Sequence, residues 1–222
     1  MKRLYAPFFA LIVGLFAVAS AQAVGVLPRE HTFELIRDGS PIGSHTIRFS
    51  REGEDLVVDI DIRIDVKVLG ISFFRYRHNN REIWRGDRLQ SIRTRTDDDG
   101  EELGVDGRLE NGRFVVRTLA GERFDYAPDV VPTSYWNPRI KQQEVLLNSQ
   151  DGAPLKVSIR PGGRDPVQTD SRLIEDVNLY KVEGELNLNL WYDLGDRLVK
   201  LNFYPPGDST LIDYLRIEAD KR

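Results

Sequence analysis

The residues best suited to chemistry lie in one stretch, where aromatic and polar side chains alternate. Taking every second residue from position 76 gives Tyr76, His78, Asn80, Glu82 and Trp84. An imidazole and a carboxylate are common acid–base groups, and a few polar groups in an apolar stripe are typical of a ligand pocket. These five residues are therefore candidate ligand-binding residues.

Catalysis by this stripe would require His78 and Glu82 to approach each other. Residues four apart on a flat strand lie about 13 Å from each other. The two side chains can form a dyad only if a bulge bends the strand. The sequence leaves three roles open for the stripe: a structural hydrogen-bond ladder, a ligand-lining surface, and the centre of a hydrolase that uses His78.

A second pair of aromatic residues, Tyr135 and Trp136, lies in the proline-rich segment Ala127 to Pro138. Its three prolines lack the N–H group that a central strand needs, so the segment is predicted to be a loop. The pair is a candidate ligand anchor or lid, because aromatic residues in a stiff loop lose little entropy on binding. The alternative is a plug that covers one end of the core.

Other patterns point away from metals and cofactors. The chain has no cysteine, and its only histidines, His31, His45 and His78, are too widely spaced for a zinc motif. The acidic run Asp97 to Glu102 has glycine in its fourth place rather than the sixth that a calcium loop needs, and is predicted to be a hairpin tip. Nucleotide-binding glycine motifs are missing. We therefore expect no metal and no cofactor.

The elements that must position these residues are strands. From Val58 to Val68, every second residue is Val or Ile and the residues between are charged. This period of two predicts a strand about 35 Å long, with one apolar and one charged face. Similar shorter runs, separated by turn signals such as Asp38-Gly39 and Asn111-Gly112, predict an all-β fold. The expected architecture is a large curved antiparallel meander that forms a barrel or an open half-barrel.

One short helix is expected in this β-fold, around residues 138–147. Asn137 is a good N-cap residue and Pro138 suits the first helical position. The sequence from Arg139 to Leu147 then predicts a helix that covers a sheet or plugs a barrel mouth.

The first 23 residues predict a secretory signal peptide. Lys2 and Arg3 precede an apolar stretch, and small residues at Ala21 and Ala23 suit signal peptidase, so cleavage is expected after Ala23. Residues 24–222 are then expected to form a single β-barrel-like domain. Without cysteine the lipoprotein route is closed. The predicted location is the periplasm, with secretion as the alternative.

The charge balance limits the partners. The net charge is −4 and the leader contributes two of the positive charges, so neither nucleic acid nor an anionic membrane is expected as the main partner. No later stretch is apolar for long enough to form a transmembrane helix. Three arginines on the second face of the Phe73–Ile83 stretch, together with the charged C-terminal residues, argue against an outer-membrane barrel.

Several phrases, taken in order, carry a family resemblance: Asp38-Gly39-Ser40-Pro41-Ile42-Gly43, Tyr76-Arg77-His78, Glu82-Ile83-Trp84, Thr133-Ser134-Tyr135-Trp136-Asn137 and Leu190-Trp191-Tyr192-Asp193. Together they resemble an uncharacterised family of exported bacterial β-rich proteins, over the whole mature chain. The resemblance implies no activity or cofactor. The expected shape is also distantly similar to the half-barrels that carry lipoproteins across the periplasm.

The function predicted from these features is non-catalytic binding or carriage of an apolar or lipid-like ligand in the periplasm. Long alternating strands, a candidate lid and missing catalytic motifs favour it. Two alternatives stay open, a periplasmic hydrolase that uses His78 and a structural or assembly partner of the cell envelope.

Overall fold

The computed structural model of the protein describes residues 29–68 and 71–217. The predicted signal peptide and its cleavage site lie outside these described residues. Within them the chain forms seventeen strands and one short 3₁₀ helix, Pro138–Gln142. The strands are β1 (Glu30–Arg37), β2 (Ser40–Glu52), β3 (Asp55–Val68), β4 (Ile71–Arg85), β5 (Arg88–Asp98), β6 (Glu101–Glu110), β7 (Arg113–Thr118), β8 (Arg123–Tyr126), β9 (Val131–Pro132), β10 (Val145–Leu147), β11 (Pro154–Arg164), β12 (Val167–Gln168), β13 (Leu173–Ile174), β14 (Val177–Gly184), β15 (Leu188–Asp193), β16 (Leu198–Phe203) and β17 (Ile212–Ile217).

Fifteen of these strands form one large curved sheet, in the order β8-β7-β6-β5-β4-β3-β2-β1-β17-β16-β15-β14-β11-β10-β9. Its neighbours are antiparallel except for β9 and β10, which run parallel. The first and last strands pair with each other, so the two halves of the chain meet at the middle of the sheet. The sheet has two free edges and does not close. The predicted all-β fold is confirmed. Of the two predicted forms, a closed barrel and an open half-barrel, the sheet has the open one.

The period-two pattern of β3 matches its burial. Val58 and Ile60 are buried on the inner face, whereas Arg63 on the opposite face is exposed. The outer charges pair across strands, as in the Arg81–Asp59 ion pair with an N–O distance of 3.1 Å. Such exposed pairs contribute little to stability, so burial of the inner face is the main force that holds the strand.

The helix is shorter than the sequence predicts. The side chain of Asn137 accepts a hydrogen bond from the backbone N–H of Arg139 at 3.0 Å, and Pro138 occupies the first turn, as expected. The helix ends at Gln142, and Val145–Leu147 instead forms β10 between β9 and β11. Pairing with two neighbouring strands buries Leu146 and Leu147 and overrides the local helical preference.

The core is one extended cluster on the concave side of the sheet. Its largest fully buried side chains include Trp84, Phe114 and Ile140, so the short helix contributes to the same core as β4 and β7. A smaller cluster of Val167, Val177, Trp191 and Val199 lies apart from it.

Gly43 is required by the close approach of β2 and β3. A Cβ atom at this position would lie 2.0 Å from the carbonyl oxygen of Arg63, which belongs to the backbone and cannot turn away. We expect Gly43→Ala to lower the free energy of unfolding by about 2 kcal/mol or more, as measured by urea denaturation. Ser44→Ala, one residue along the same strand, is the control and should change stability by less than about 0.5 kcal/mol. Equal stability of the two variants would contradict this close approach.

Candidate functional site

The five stripe residues lie together on the inner face of β4. Tyr76, His78, Asn80, Glu82 and Trp84 are all buried, and their backbone partners on β3 are inner-face residues. The structure therefore brings the stripe to the interior as one continuous face. Ligand contact by these residues stays a prediction.

Glu82 is the centre of a buried hydrogen-bond network. Its side chain is fully buried, and its Oε2 accepts hydrogen bonds from the Nε1 atoms of Trp84 at 2.8 Å and Trp136 at 2.9 Å. Its Oε1 accepts a hydrogen bond from Nδ2 of Asn80 at 2.9 Å. Burial raises the pKa of the Glu82 carboxyl, while these donors act in the opposite direction. The carboxylate therefore ties the loop to β4.

Trp136 lies inside the core rather than at its edge. Its ring meets Trp84 and Phe49 edge to face, with centroid distances of 5.5 Å to each. The residue is buried, and its indole N–H is held by Glu82. These contacts favour the plug over the mobile lid among the roles that the sequence leaves open.

Tyr135 is half-buried beside Trp136 and has an unusual backbone. Its φ angle is 62°, which a bulky residue rarely adopts, and its carbonyl oxygen accepts a hydrogen bond from the hydroxyl of Tyr192 at 2.6 Å. This hydrogen bond from β15 thus stabilises the backbone conformation of Tyr135. Tyr135 is half-buried whereas Trp136 is buried, so the two aromatic residues differ in exposure.

His78 forms its hydrogen bond with a hydroxyl rather than a carboxylate. The Nδ1 atom lies 2.8 Å from Oγ1 of Thr96, and both residues are buried. Burial lowers the pKa of His78 to about 4, so the ring is neutral at physiological pH and is a weak base. Glu82 accepts its hydrogen bonds from Asn80, Trp84 and Trp136 rather than from His78. His78 and Glu82 lie four residues apart on β4, and they do not form a dyad.

Two further interior histidines were missed by the sequence reasoning, which weighed them only as metal ligands. His31 on β1 and His45 on β2 are buried, and neither ring nitrogen of either residue has a hydrogen-bond partner in the protein. Burial lowers the pKa of His31 to about 4 and that of His45 to about 3. Their period-two spacing with Phe33 and Ile47 is the signal that could have placed them inside.

Histidine and carboxylate side chains do not converge among the residues that the structure describes. No group of three or more histidine, aspartate or glutamate side chains there is placed to hold a metal ion. In the acidic turn, Oδ1 of Asp97 accepts a hydrogen bond from the backbone N–H of Gly100 at 2.7 Å. Among residues 29–68 and 71–217, no helix is long and apolar enough to cross a membrane.

Burial of the inner face decreases towards the C-terminal end of β3. Along the inner face of β3, Val58 and Ile60 are buried, whereas Ile62 and Ile64 are only half-buried. Tyr76 lies opposite Ile64, and its hydroxyl oxygen accepts a hydrogen bond from Nε2 of Gln150 at 2.6 Å. We call this region the mouth and define it by Ile62, Ile64, Tyr76, Tyr135 and Phe203, the last of which is also half-buried and packed against the core.

Tyrosine hydroxyls supply much of the polarity near the mouth. Tyr76, Tyr135 and Tyr214 lie close enough to affect one another's ionisation. Burial raises the pKa of Tyr76 to about 12 and raises those of the other two as well, so all three hydroxyls stay protonated at neutral pH. They can donate hydrogen bonds to a ligand without adding charge.

Comparison with known proteins identifies the family. A family model described as a domain of unknown function, DUF6134, matches residues 33–214. The chain belongs to this family. The match confirms the resemblance to an uncharacterised β-rich family, and it brings no activity for a DUF6134 protein. Among curated proteins, no sequence matches this chain.

One solved structure has a similar fold. It is the crystal structure of a beta-barrel-like protein of another domain of unknown function, DUF1849, from Brucella abortus. The TM-score is 0.59 with 13% sequence identity, and the similarity covers 85% of this chain and 95% of that chain. At this identity the comparison bears on the fold of the DUF6134 chain alone.

Proposed function

We propose that this DUF6134 protein is a non-catalytic binding or carrier protein for an apolar or lipid-like small molecule, and that it works in the periplasm after export. The observation that carries the proposal is the change in burial along the inner face, from fully buried at Val58 to half-buried at Ile64. Apolar side chains left partly open on a concave face are typical of a site that a ligand completes.

The ligand chemistry follows from what lines the mouth. Ile62, Ile64 and Phe203 offer apolar contact, and the hydroxyls of Tyr76 and Tyr135 offer neutral hydrogen bonds. An amphipathic molecule with an apolar body and an uncharged or weakly polar head matches this lining. Because Trp84, Trp136 and Ile140 fill the other end, such a ligand would enter from the mouth.

The hydrolase alternative has one contact in its favour, the 2.8 Å distance between His78 Nδ1 and Thr96 Oγ1. A nucleophile and a base at this distance are the start of a catalytic arrangement. The histidine pKa of about 4 and the burial of both side chains oppose it, because the base must work near neutral pH and meet a substrate. Binding is therefore the better-supported function.

Filling the mouth should weaken binding of an apolar probe. We expect Ile64→Trp to weaken the affinity for the uncharged fluorescent probe N-phenyl-1-naphthylamine at least tenfold, because the larger side chain occupies the ligand's volume. Arg63→Trp adds the same group to the opposite face of the same strand and should leave the affinity within a factor of two. Probe fluorescence titration measures both, and native mass spectrometry of the purified protein checks for a co-purified ligand. If the wild-type protein shows neither probe binding nor a co-purified ligand, the proposal fails.

A further inference from the structure

A two-stranded ribbon projects from the sheet at the mouth. Strand β2 pairs with β3 only as far as Ile64, and β5 pairs with β4 only from Tyr76 onwards. Beyond these points the two strands pair with each other, and the backbone N–H of Asp99 also donates a hydrogen bond to the carbonyl oxygen of Arg75 at 2.8 Å. We call residues 65–67 and 71–75 the ribbon. At about 3.3 Å per residue, the ribbon continues about 10 Å along β3 and about 16 Å along β4 past the last residues that pair with β2 and β5.

The ribbon bears the most exposed large apolar side chains of the described residues. Phe73 is 76% exposed and Ile71 is 74% exposed, and they lie two residues apart on β4. Other exposed apolar residues, such as Leu119 and Leu194, lie singly in distant turns. Single exposed apolar residues are ordinary, whereas two of them close together on the same projecting strand indicate a contact surface.

Cationic side chains flank this apolar pair. Lys67 and Arg75 are both exposed on the ribbon, and one nearby carboxylate, Asp65, lies 3.3 Å from Lys67 Nζ. The acidic turn lies at the base of the ribbon, where Arg75 N donates a hydrogen bond to Asp99 Oδ1 at 3.2 Å. The apolar pair thus lies among mixed charges, with the two cations on the ribbon, Asp65 beside them and the acidic turn at the base.

We propose that the ribbon docks this protein on a phospholipid surface. Ile71 and Phe73 enter the boundary between headgroups and acyl chains, and Lys67 and Arg75 contact lipid phosphates with their long side chains. Because the acidic turn lies nearby, apolar insertion supplies most of the binding, and anionic lipid strengthens it only modestly. The docking stands independently of whether the mouth holds a ligand.

A lipid surface fits the ribbon better than a second copy of the chain does. A stable protein interface buries about 1,200 Å² or more, and two apolar side chains on a narrow ribbon offer far less. The ribbon continues β3 and β4 directly from Ile64 and Tyr76, so lipid docking would bring the mouth to the membrane.

Vesicle binding tests the proposal. The protein is purified in the form that the expressing cell produces, and mass spectrometry verifies its N terminus. We expect co-sedimentation with phosphatidylcholine vesicles, and a two- to threefold higher partition coefficient when a quarter of the lipid is phosphatidylglycerol. The double variant Ile71→Ser/Phe73→Ser should lower the partition coefficient at least tenfold on both. Lys67→Ser/Arg75→Ser should remove the preference for phosphatidylglycerol.

The control variant is Leu119→Ser/Leu194→Ser, which removes two exposed apolar side chains elsewhere and should bind as the wild type does. Thermal midpoints verify that all variants fold. Three results would overturn the proposal: no vesicle binding by the wild type, equal loss in the control, or binding that survives the Ile71→Ser/Phe73→Ser change. Dimerisation that this same change abolishes, seen by analytical ultracentrifugation without lipid, would assign the ribbon to self-association instead.

Discussion

Replacing Glu82 by alanine should lower the free energy of unfolding by about 3–5 kcal/mol, among the largest effects of any single substitution in this protein. The change removes the acceptor for the indole N–H groups of Trp84 and Trp136 and for the Asn80 amide, all buried. Buried donors without partners cost about 1–3 kcal/mol each. Urea denaturation followed by tryptophan fluorescence measures the loss and reports on the environment of Trp136.

Glu82→Gln should be far milder and separates hydrogen bonding from charge. The glutamine oxygen can accept both indole bonds. Its amide can donate to Asn80 Oδ1, which has no partner in the wild type, once the Asn80 side-chain amide rotates by 180° from its orientation towards Glu82. Removing a buried charge offsets the remaining cost, so we expect stability within about 1 kcal/mol of the wild type at pH 7. Glu52→Ala removes an exposed partner of Arg81 and is the control, with an expected loss of less than about 1 kcal/mol. A Glu82→Gln variant as unstable as Glu82→Ala would refute the network's role.

Stability should fall steeply as the pH drops from 6.5 towards 4, because all three histidines are buried. The folded-state pKa values of His31, His45 and His78 are about 4, about 3 and about 4, below the ordinary value of 6.5. The unfolded chain therefore takes up these protons first, and the stabilisation present above pH 6.5 is lost as the pH falls towards the folded values. Each histidine contributes about 2 kcal/mol of this loss between pH 6.5 and 4.5.

Replacing one ring should remove one proton from this dependence. We expect His45→Phe to reduce the slope of unfolding free energy against pH by about 1.4 kcal/mol per pH unit near pH 5. Thr96→Val changes a neighbour of His78 but removes no titrating group, and should keep the wild-type slope. Burial raises the folded-state pKa of Glu82, so this carboxyl makes stability increase as the pH falls, opposite to the histidines. The test therefore compares the slope of each variant with that of the wild type. Equal slopes for His45→Phe and the wild type would show that His45 titrates normally.

Much of the strand architecture could be read from the chain because period-two alternation is a local property. The segment from Val58 to Val68 alternates without a break, and the structure has it as most of β3. The stripe from Tyr76 to Trp84 likewise shares one face of β4. The turns at Asp38 and Asn111 have the positive φ angles that hairpin signals require.

The contacts that organise the candidate site could not be read in this way, since they depend on how distant segments return. Trp136 donates to a carboxylate that is 54 residues away along the chain. The predicted helix stops at Gln142 because β10 gains two strand neighbours. His31 and His45 share a face with Phe33 and Ile47 by period-two spacing, but the absence of a hydrogen-bond partner for either ring depends on the residues that distant strands place around it.

The long alternating strands and their apolar faces follow from the sequence alone, because side chains alternate with the backbone pleat. How far each strand is paired becomes evident only in the assembled sheet, and with it where the interior is filled, where inner-face burial decreases at the mouth, and where β3 and β4 continue as a two-stranded ribbon. Pairing register and loop return are set by burial summed over the whole sheet, which no single segment encodes.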